Sequence, residues 1–368
     1  MKQIKPKVPT IAITGSAGKT TTKEMIASIL STKWKIFKSE GNRNFAKSTK
    51  SHAKMIKPHH QAIVLEYGMG EGNTGKMHCS FIQPNISVIT NIGSAHFGVF
   101  GNDIKLTAEK KSELIQYMKA DGSLYINNDD ENSKLLKTQD FKGRIYTVGI
   151  NTPSDFRGIN VKYSKKGMRF MVNLNGDLED FLIPTFGYHN VVNALFAIGI
   201  SHNLGFTPSE MRLGLKNYCL PSRRLMIHRL PNGLMIIDDS YSANPEATKA
   251  AIDVLVNLGK DKKRIAIIGS MLELGEFTAE GHREVGKYLA DKQINKIFTY
   301  GDEAQWIRQG AMEAGFNPKN IFSFKDQDKI HRYIKRVVKP NTCILVKGSK
   351  LMEMYKTVEF IKGNYSSR

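Results

Sequence analysis

Residues 10–22 read TIAITGSAGKTTT, and this stretch decides how the first half of the chain folds. Five residues suited to a buried strand run into a glycine-rich turn, and the residues after the turn suit a helix. Glycines let the backbone fold around phosphate oxygens, and the first amides of a helix point at a bound anion. The stretch therefore predicts a phosphate-binding loop, with Lys19 reaching the terminal phosphates of a nucleotide and the Thr20 hydroxyl reaching magnesium.

The spacing of this loop is shorter than the common phosphate-loop pattern. That pattern has a glycine five residues before the second loop glycine, where this chain has Ile13. The alternative is a glycine turn that only caps a helix, but the Gly-Lys-Thr-Thr-Thr run after a buried strand favours phosphate binding. The tetrapeptide Asn-Lys-x-Asp, with which GTPases read guanine, is absent from the sequence. The loop alone does not choose among kinases, GTPases and ligases.

Apolar strand-like runs alternate with amphipathic helical stretches along the chain. Short continuous apolar runs are typical of strands buried on both faces, and their alternation with helices favours doubly wound parallel sheets. We therefore predict an α/β protein, with a P-loop domain built on a parallel sheet and a Rossmann-like C-terminal α/β domain. Strands are predicted at 10–14, 62–66, 86–90, 234–238, 264–268, 296–300 and 343–346, and helices at 21–31, 107–119, 190–203, 245–257 and 281–292.

Residues 157–184 follow a different pattern. Alternating apolar and polar residues are broken by KKG at 165–167 and by NGD at 175–177, which predicts antiparallel hairpins within the first domain. The best domain boundary follows a helix near residues 219–222. We expect a central P-loop ATPase domain at 1–220 and a ligase-type C-terminal domain at 221–368.

The composition is that of an ordinary globular protein. The chain has 368 residues, 40% of them hydrophobic, and no apolar run reaches the ~18 residues of a membrane span. The N-terminus is basic but lacks the apolar core of a signal peptide. Three widely spaced cysteines, Cys79, Cys219 and Cys343, favour neither disulfides nor a metal cluster. A reducing, cytoplasmic location is therefore expected.

The formal net charge of +20 has two explanations. One is a basic surface that attracts a polyanion, and the other is a lysine-rich composition spread over solvated faces. The lysines are scattered along the chain and no basic block is interleaved with aromatic residues, which favours the second explanation. We expect no nucleic-acid partner and no membrane insertion. The oligomeric state is left open.

Several further segments accompany the loop in a fixed order, and together they resemble the Mur ligase family. This family comprises the ATP-dependent amide-bond ligases of peptidoglycan assembly, with folylpolyglutamate synthase as a relative. The resemblance runs from about residue 8 to 358. Besides 14–22, the matching segments are 41–44 (GNRN), 65–68 (LEYG), 89–96 (ITNIGSAH), 108–113 (AEKKSE), 187–194 (GYHNVVNA), 237–245 (IDDSYSANP), 269–275 (GSMLELG) and 346–350 (VKGSK).

The resemblance implies a reaction and a set of site residues. The reaction joins a small-molecule or peptide carboxylate to an amino-acid or dipeptide amine through an acyl phosphate, with ATP and two magnesium ions as cofactors. The implied catalytic residues are Lys19, Glu66, His96 and Lys111. The implied nucleotide contacts are Gly15, Ser16, Ala17, Gly18, Lys19, Thr20, Thr21, Asn190, Asn193, Arg224 and Asp239. The implied magnesium ligands are Thr20, Glu66, His96 and Lys111, the last as a carbamylated lysine.

Each residue also has a simpler interpretation. Glu66 could be an ordinary strand-end carboxylate, although a hard oxygen ligand at that position suits magnesium. His96 could be structural, because magnesium prefers oxygen. Lys111 could be one exposed lysine of a Lys110–Lys111 pair on a helix, and an ammonium there would be repelled by magnesium, so a role at the metal requires carbamylation by CO2. Asn190 could cap its helix, and Asp239 could belong to a turn.

The sequence also departs from the family in ways that keep other functions open. Full-length cell-wall ligases carry an N-terminal domain for the uridine nucleotide of their substrate, and we expect this chain to lack it. Ser270 stands where the family usually has Asp, and Lys350 and Tyr355 stand where Arg and Glu are usual in the matching branch. A nucleotide-binding regulatory protein is therefore an alternative, and a P-loop kinase is a third.

Overall fold

Two units make up the chain, Met1–Pro221 and Ser222–Arg368. The computed structural model describes residues 3–70, 72–94, 98 and 101–366. In this described part, no helix is long and apolar enough to cross a bilayer.

The first unit is built on a seven-stranded sheet in which every neighbouring pair of strands is parallel. The strand order is β2-β3-β1-β4-β5-β6-β7, so β1, the strand before the glycine loop, lies in the interior of the sheet. Strands β1 and β3 are buried along their whole length, as their uninterrupted apolar runs predict. The strands are β1 (Thr10–Thr14), β2 (Ile36–Lys38), β3 (Ala62–Glu66), β4 (Ile86–Ile89), β5 (Ser123–Asn127), β6 (Arg144–Gly149) and β7 (Phe156–Arg157).

The helix after the glycine loop is itself enclosed. It packs against the longest helix of this unit, α5, and against α6, and most of its residues are buried. Helix α1 is therefore held between the sheet and a second layer of helices, and this fixes the end of the loop that joins it. The helices of this unit are α1 (Lys19–Leu30), α2 (Ala46–Met55), α3 (Gly75–Phe81), α4 (Ile104–Tyr117), α5 (Tyr188–Asn203) and α6 (Pro208–Lys216).

A separate antiparallel sheet completes the first unit. It consists of β8 (Ile159–Ser164), β9 (Gly167–Leu174) and β10 (Asp177–Ile183), in the order β10-β9-β8. The tight turn between β9 and β10 uses Asn175 (φ 56°) and Gly176 (φ 101°), two residue types that tolerate positive φ. The hairpins predicted within 157–184 are thus present.

The second unit has a six-stranded sheet in the order β11-β12-β16-β13-β14-β15. Its pairs are parallel except for β11 with β12, which are antiparallel. A purely parallel sheet is therefore wrong at this edge, because the short connection through the turn Pro231–Gly233 can only reverse the chain. The elements are β11 (Met226–Arg229), β12 (Met235–Asp239), α7 (Pro245–Leu258), β13 (Lys263–Gly269), α8 (Thr278–Asp291), β14 (Lys296–Tyr300), α9 (Gln305–Glu313), β15 (Ile321–Phe324), α10 (Gln327–Val337), β16 (Thr342–Lys347) and α11 (Tyr355–Tyr365).

The predicted elements agree closely with these bounds, and the α/β class with two such units is confirmed. The largest shifts are of three residues, in α8, which begins at Thr278 rather than 281, and in α4, which begins at Ile104 rather than 107. Asp103 caps this helix, its side chain accepting a hydrogen bond from the Lys105 amide at 2.8 Å.

A buried histidine joins three parts of the first unit. The His78 Nε2–H donates to the Gly68 carbonyl at 2.9 Å, so Nδ1 accepts from the Thr49 hydroxyl at 2.7 Å. The ring stacks on Tyr67, with centroids 4.4 Å apart. Burial lowers the pKa of His78 from 6.5 to about 4. The folded protein therefore holds this imidazole neutral at pH values where the unfolded chain binds a proton.

We expect His78→Gln to flatten the acid side of the stability profile. Between pH 6.5 and about 4 the unfolded state carries more protons at this site than the folded state, so the free energy of unfolding falls as the pH falls. Glutamine removes that contribution. Urea unfolding at pH 7 and pH 5 measures the difference, with His59→Gln at an exposed position as the control. An unchanged difference in His78→Gln would contradict the assignment.

Candidate nucleotide site

The glycine loop has a backbone shape that other residues would not adopt. Gly15 has φ 142° and Gly18 has φ 78°, in the region that favours glycine. A Cβ on Gly15 would lie 1.9 Å from Thr90 Oγ1, and a Cβ on Gly18 would lie 2.5 Å from Asn193 Oδ1. Gly18 is also the N-cap of α1, without a side-chain cap. The amides of the first helical turn are thus left for an anion.

The chain after β4 braces this loop from one side. Asn91 Oδ1 accepts from the amides of Ser16 at 3.0 Å and Ala17 at 2.8 Å. The Ser16 hydroxyl donates to the Gly93 carbonyl at 2.9 Å and accepts from the Gly93 amide at 2.8 Å. Asn91 was not among the predicted site residues. Its position at the end of a buried strand, on the same sheet edge as the loop, is the signal that could have identified it.

Lys19 folds back over the loop that precedes it. Its Nζ donates to the Gly15 carbonyl at 2.7 Å. An ammonium held at the first residue of α1 adds a full positive charge to the helix N-terminus. The loop thus combines a cation with backbone amides, which is the arrangement that phosphate groups require.

Glu66 ends β3 beside the loop, with a side chain that is almost fully buried. Its Oε2 accepts from the Thr20 hydroxyl at 2.8 Å, and its Oε1 accepts from Asn44 Nδ2 at 2.8 Å. The Glu66 amide donates to Ser39 Oγ at 3.1 Å. Both carboxylate oxygens are thus held by neutral donors. Asn44 belongs to the GNRN segment, and sequence reasoning did not assign it a role.

The Thr20–Glu66 pair offers the kind of oxygen ligands that magnesium prefers. A hydroxyl and a carboxylate oxygen are hard ligands, and magnesium is usually held by one or two carboxylates together with water and substrate phosphates. No group of three His, Cys, Asp or Glu side chains suited to a metal occurs in the described part of the chain. The predicted ligand His96 lies outside the described residues.

Lys111, on α4, is buried with only 2% of its surface exposed. Burial, and then the charge of Lys19, lower the pKa of Lys111 from 10.5 to about 7. The simpler interpretation of Lys111 as an exposed helix lysine is therefore wrong. Near pH 7 a substantial fraction of this side chain is a neutral amine, which is the nucleophilic form.

Asn190 and Asn193 lie near the start of α5. Asn193 Oδ1 accepts from the Thr22 hydroxyl at 3.1 Å, and Asn193 Nδ2 donates to Asn190 Oδ1 at 3.1 Å. Asn190 Nδ2 donates to the Phe186 carbonyl at 2.7 Å. Capping by Asn190 is wrong, because α5 begins at Tyr188 with Gly187 as its N-cap. The structure instead joins Asn193 to the helix that follows the loop.

In the second unit, Asp239 is held by two donors. Its Oδ2 accepts from Lys347 Nζ at 2.5 Å, and its Oδ1 accepts from the Leu225 amide at 3.2 Å. Arg224 lies over the Tyr241 ring, with its guanidinium carbon 4.5 Å from the centroid. Lys347 is buried at the end of β16, and the sequence motif VKGSK was the signal for it.

We expect Gly15→Ala to weaken ADP binding by about tenfold or more. The new Cβ would overlap Thr90 Oγ1, and the φ of 142° would be strained by about 1–3 kcal/mol, so the loop must leave its present shape. Calorimetric titration with ADP measures the change. Gly363→Ala is the control, because a Cβ there meets no heavy atom of the described residues within 4 Å. Wild-type affinity in Gly15→Ala would refute the role of this loop.

Comparisons with known proteins agree with the two units. The Mur ligase middle domain model matches residues 13–201, and the Mur ligase, glutamate ligase domain model matches residues 223–350. The UDP-N-acetylmuramoyl-tripeptide–D-alanyl-D-alanine ligase of Bacillus subtilis (strain 168) is 31% identical over 349 residues, covering 95% of this chain and 75% of that protein. The ligase of the same name from Haemophilus influenzae is 29% identical, covering 98% of this chain and 78% of that protein.

Solved structures show the same fold. MurF from Acinetobacter baumannii aligns with a TM-score of 0.87 at 25% identity, covering 96% of this chain and 77% of that chain. MurF ligase from Thermotoga maritima, solved in complex with ADP, aligns with a TM-score of 0.84 at 24% identity, covering 97% and 80%. Folylpolyglutamate synthase from Mycobacterium tuberculosis aligns with a TM-score of 0.72 at 16% identity, covering 96% and 91%.

Both family models match in the order of the units, and the curated relatives span nearly the whole chain. The glycine loop, the buried Thr20–Glu66 pair and buried Lys111 all fall within the part matched by the middle-domain model. This chain belongs to the Mur ligase family of ATP-dependent carboxylate–amine ligases.

Proposed function

We propose that this protein makes an amide bond by activating a carboxylate as an acyl phosphate. The observation that carries the proposal is the buried Thr20–Glu66 hydrogen bond of 2.8 Å directly beside the glycine loop. It unites two hard oxygen ligands with a phosphate-binding helix N-terminus. Because the curated relatives are UDP-N-acetylmuramoyl-tripeptide–D-alanyl-D-alanine ligases, a UDP-muramoyl-tripeptide and D-alanyl-D-alanine are the first substrates to test.

The reaction has two steps. An oxygen of the acceptor carboxylate attacks the γ-phosphorus of ATP, the bond to the β–γ bridging oxygen breaks, and ADP leaves. The amine nitrogen then attacks the acyl carbon, inorganic phosphate leaves with the bonding electrons, and the nitrogen loses a proton. Charge accumulates on the transferring phosphoryl group in the first step, so positive groups aimed at it lower the barrier.

The residues of the first unit have separate roles in this proposal. The amides of the first turn of α1 and Lys19 bind and orient the phosphates, and the Lys19 ammonium offsets developing charge. Thr20 and Glu66 would hold a magnesium ion, which supplies charge neutralisation and orients the phosphate oxygens when bound. His96 stays a predicted second-site ligand. Asn193 supports α1 next to the loop through its bond with Thr22.

Lys111 is proposed to act as its carbamate. The neutral amine attacks CO2 to give a carbamate anion and releases one proton, which converts a buried cation into an anionic oxygen ligand. The pKa of about 7 makes the neutral amine available without a further catalyst. A buried anion in turn requires nearby positive charge, which Lys19 and a magnesium ion would provide.

For the second unit we propose nucleotide contacts through Arg224 and Asp239. The Asp239 carboxylate is held in one orientation by Lys347 and the Leu225 amide. Little side-chain entropy would therefore be lost when it accepts a hydrogen bond from a ribose hydroxyl. Arg224 is restrained in the same way by its stacking on Tyr241.

A nucleotide-binding regulatory protein remains the alternative, and Ser270 is the observation that favours it. Its side chain is fully buried, and its Oγ accepts from the Ala304 amide at 3.2 Å. In this chain the position usually occupied by Asp therefore serves the packing of the second unit. The two candidates differ in turnover, since only the ligase releases ADP in step with amide formation.

Amine-dependent release of ADP and phosphate tests the proposal. With ATP, magnesium, a UDP-muramoyl-tripeptide and D-alanyl-D-alanine, we expect both products to appear only when acceptor and amine are present. Lys19→Met should lower kcat by about 10²–10³-fold, as expected for loss of one charge-stabilising donor. A coupled ADP assay and mass spectrometry of the product measure this. A stable phosphorylated product without amine would indicate a kinase, and nucleotide binding without turnover would favour the regulatory protein.

Dependence on CO2 tests the role of Lys111. Activity should fall in CO2-depleted buffer and return with bicarbonate, and Lys111→Ala should be inactive but partly restored by a short carboxylate such as acetate. Lys110→Ala is the matched control. Lys110 is adjacent to Lys111 in sequence, but its side chain is 42% exposed and pairs with Glu113. Full activity of Lys111→Ala, or no effect of bicarbonate on the wild type, would refute the carbamate.

A further inference from the structure

Lys23 is a fully buried lysine on α1, one helical turn after Thr20. Its ammonium has three acceptors within the protein. Nζ donates to the Ser39 carbonyl at 2.8 Å and to the Gly41 carbonyl at 2.6 Å, and it lies 2.9 Å from Glu24 Oε1. An ammonium has three N–H groups, so each can have a partner. A buried charge is costly unless it is paired in this way.

The two carbonyls belong to the start of a segment, residues 39–44, that contacts Glu66 at both ends. At its start, Ser39 Oγ accepts from the Glu66 amide at 3.1 Å. At its end, Asn44 Nδ2 donates to Glu66 Oε1 at 2.8 Å, and the Asn44 carbonyl accepts from the Gly68 amide at 2.8 Å. The 39–44 segment thus holds both the backbone and the side chain of Glu66.

One helix therefore reaches Glu66 by two routes. Thr20 contacts Glu66 Oε2 directly, whereas Lys23 acts through the 39–44 segment on the opposite oxygen, Oε1. We infer that Lys23 is a positioning residue that holds this segment so that Asn44 fixes the Glu66 carboxylate in the orientation needed for magnesium. This inference rests on the proposed function of Glu66 as a magnesium ligand.

The neighbouring charges provide a matched control. Glu24 Oε1 pairs with Lys23, and Glu24 Oε2 accepts from Lys38 Nζ at 2.5 Å. The Lys38 side chain is 46% exposed, whereas that of Lys23 is buried. If Lys23 served only to neutralise Glu24, loss of either lysine would have a related effect. If Lys23 holds the 39–44 segment, only its own replacement should alter the Glu66 site.

The experiment compares ADP affinity with and without magnesium in Lys23→Met, Lys23→Arg and Lys38→Met. Groups that orient a metal ligand typically contribute about 10- to 100-fold to metal affinity. We expect Lys23→Met to raise the magnesium concentration for half-maximal tightening of ADP binding by about tenfold or more. Its magnesium-free ADP affinity should stay near that of the wild type, because the glycine loop is intact. Lys38→Met should match the wild type, and Lys23→Arg should recover part of the loss.

Asn44→Ala tests the same link without disturbing the buried charge, in case Lys23→Met does not fold. It should reproduce the magnesium defect, and the double variant should be no worse than either single one, because both act along one route. Wild-type magnesium dependence in Lys23→Met, or an equal loss of magnesium-free ADP binding, would overturn the inference. If the magnesium effect is found but no acid–amine pair is ligated, the positioning role stands and the proposed reaction fails.

Discussion

The parallel pairing of β1 with both of its neighbours is the constraint on which the site depends. Ile13 pairs with Glu66 on β3, and Thr14 pairs with Ile89 on β4. Parallel strands end at the same edge of a sheet, so the chain segments that follow these three strands must converge there. The glycine loop, the Glu66 carboxylate and the Asn91 side chain meet for this reason, although they are far apart in sequence.

Three lysines of this basic protein lie in its interior rather than on its surface. Most of the cations behind the net charge of +20 stay in water, but Lys23, Lys111 and Lys347 are almost fully buried. Burial of an ammonium must be offset by partners or by loss of its proton. Lys23 is offset by two carbonyls and a carboxylate, Lys347 by Asp239 and the Ser242 carbonyl, and Lys111 by a pKa lowered to about 7.

These three lysines also connect the fold to the chemistry. Lys347 pairs with Asp239, the charge of Lys19 acts on Lys111, and Lys23 holds the segment that carries Asn44, yet only Lys111 was singled out beforehand. In the sequence, Lys23 resembles a solvent-exposed residue on the polar face of a helix, because the charged Glu24 follows it. Glu24 pairs with both Lys23 and the half-exposed Lys38. The burial of Lys23 arises from the 39–44 segment, which follows β2 and lies against α1 in the folded unit.

The sequence by itself determined the α/β class, seven of the thirteen strands in the two main sheets, the antiparallel hairpins, the five longest helices and the residues of the glycine loop. It could do so because buried parallel strands, amphipathic helices and glycines with positive φ each leave a local pattern. Only the tertiary structure decided that Asn44 and Thr20 share the two oxygens of Glu66, that Lys111 is buried, that Asn190 does not cap α5 and that β11 runs antiparallel. These features depend on which segments become neighbours across the sheet and on how far packing excludes water. Neither can be deduced from a local stretch of residues.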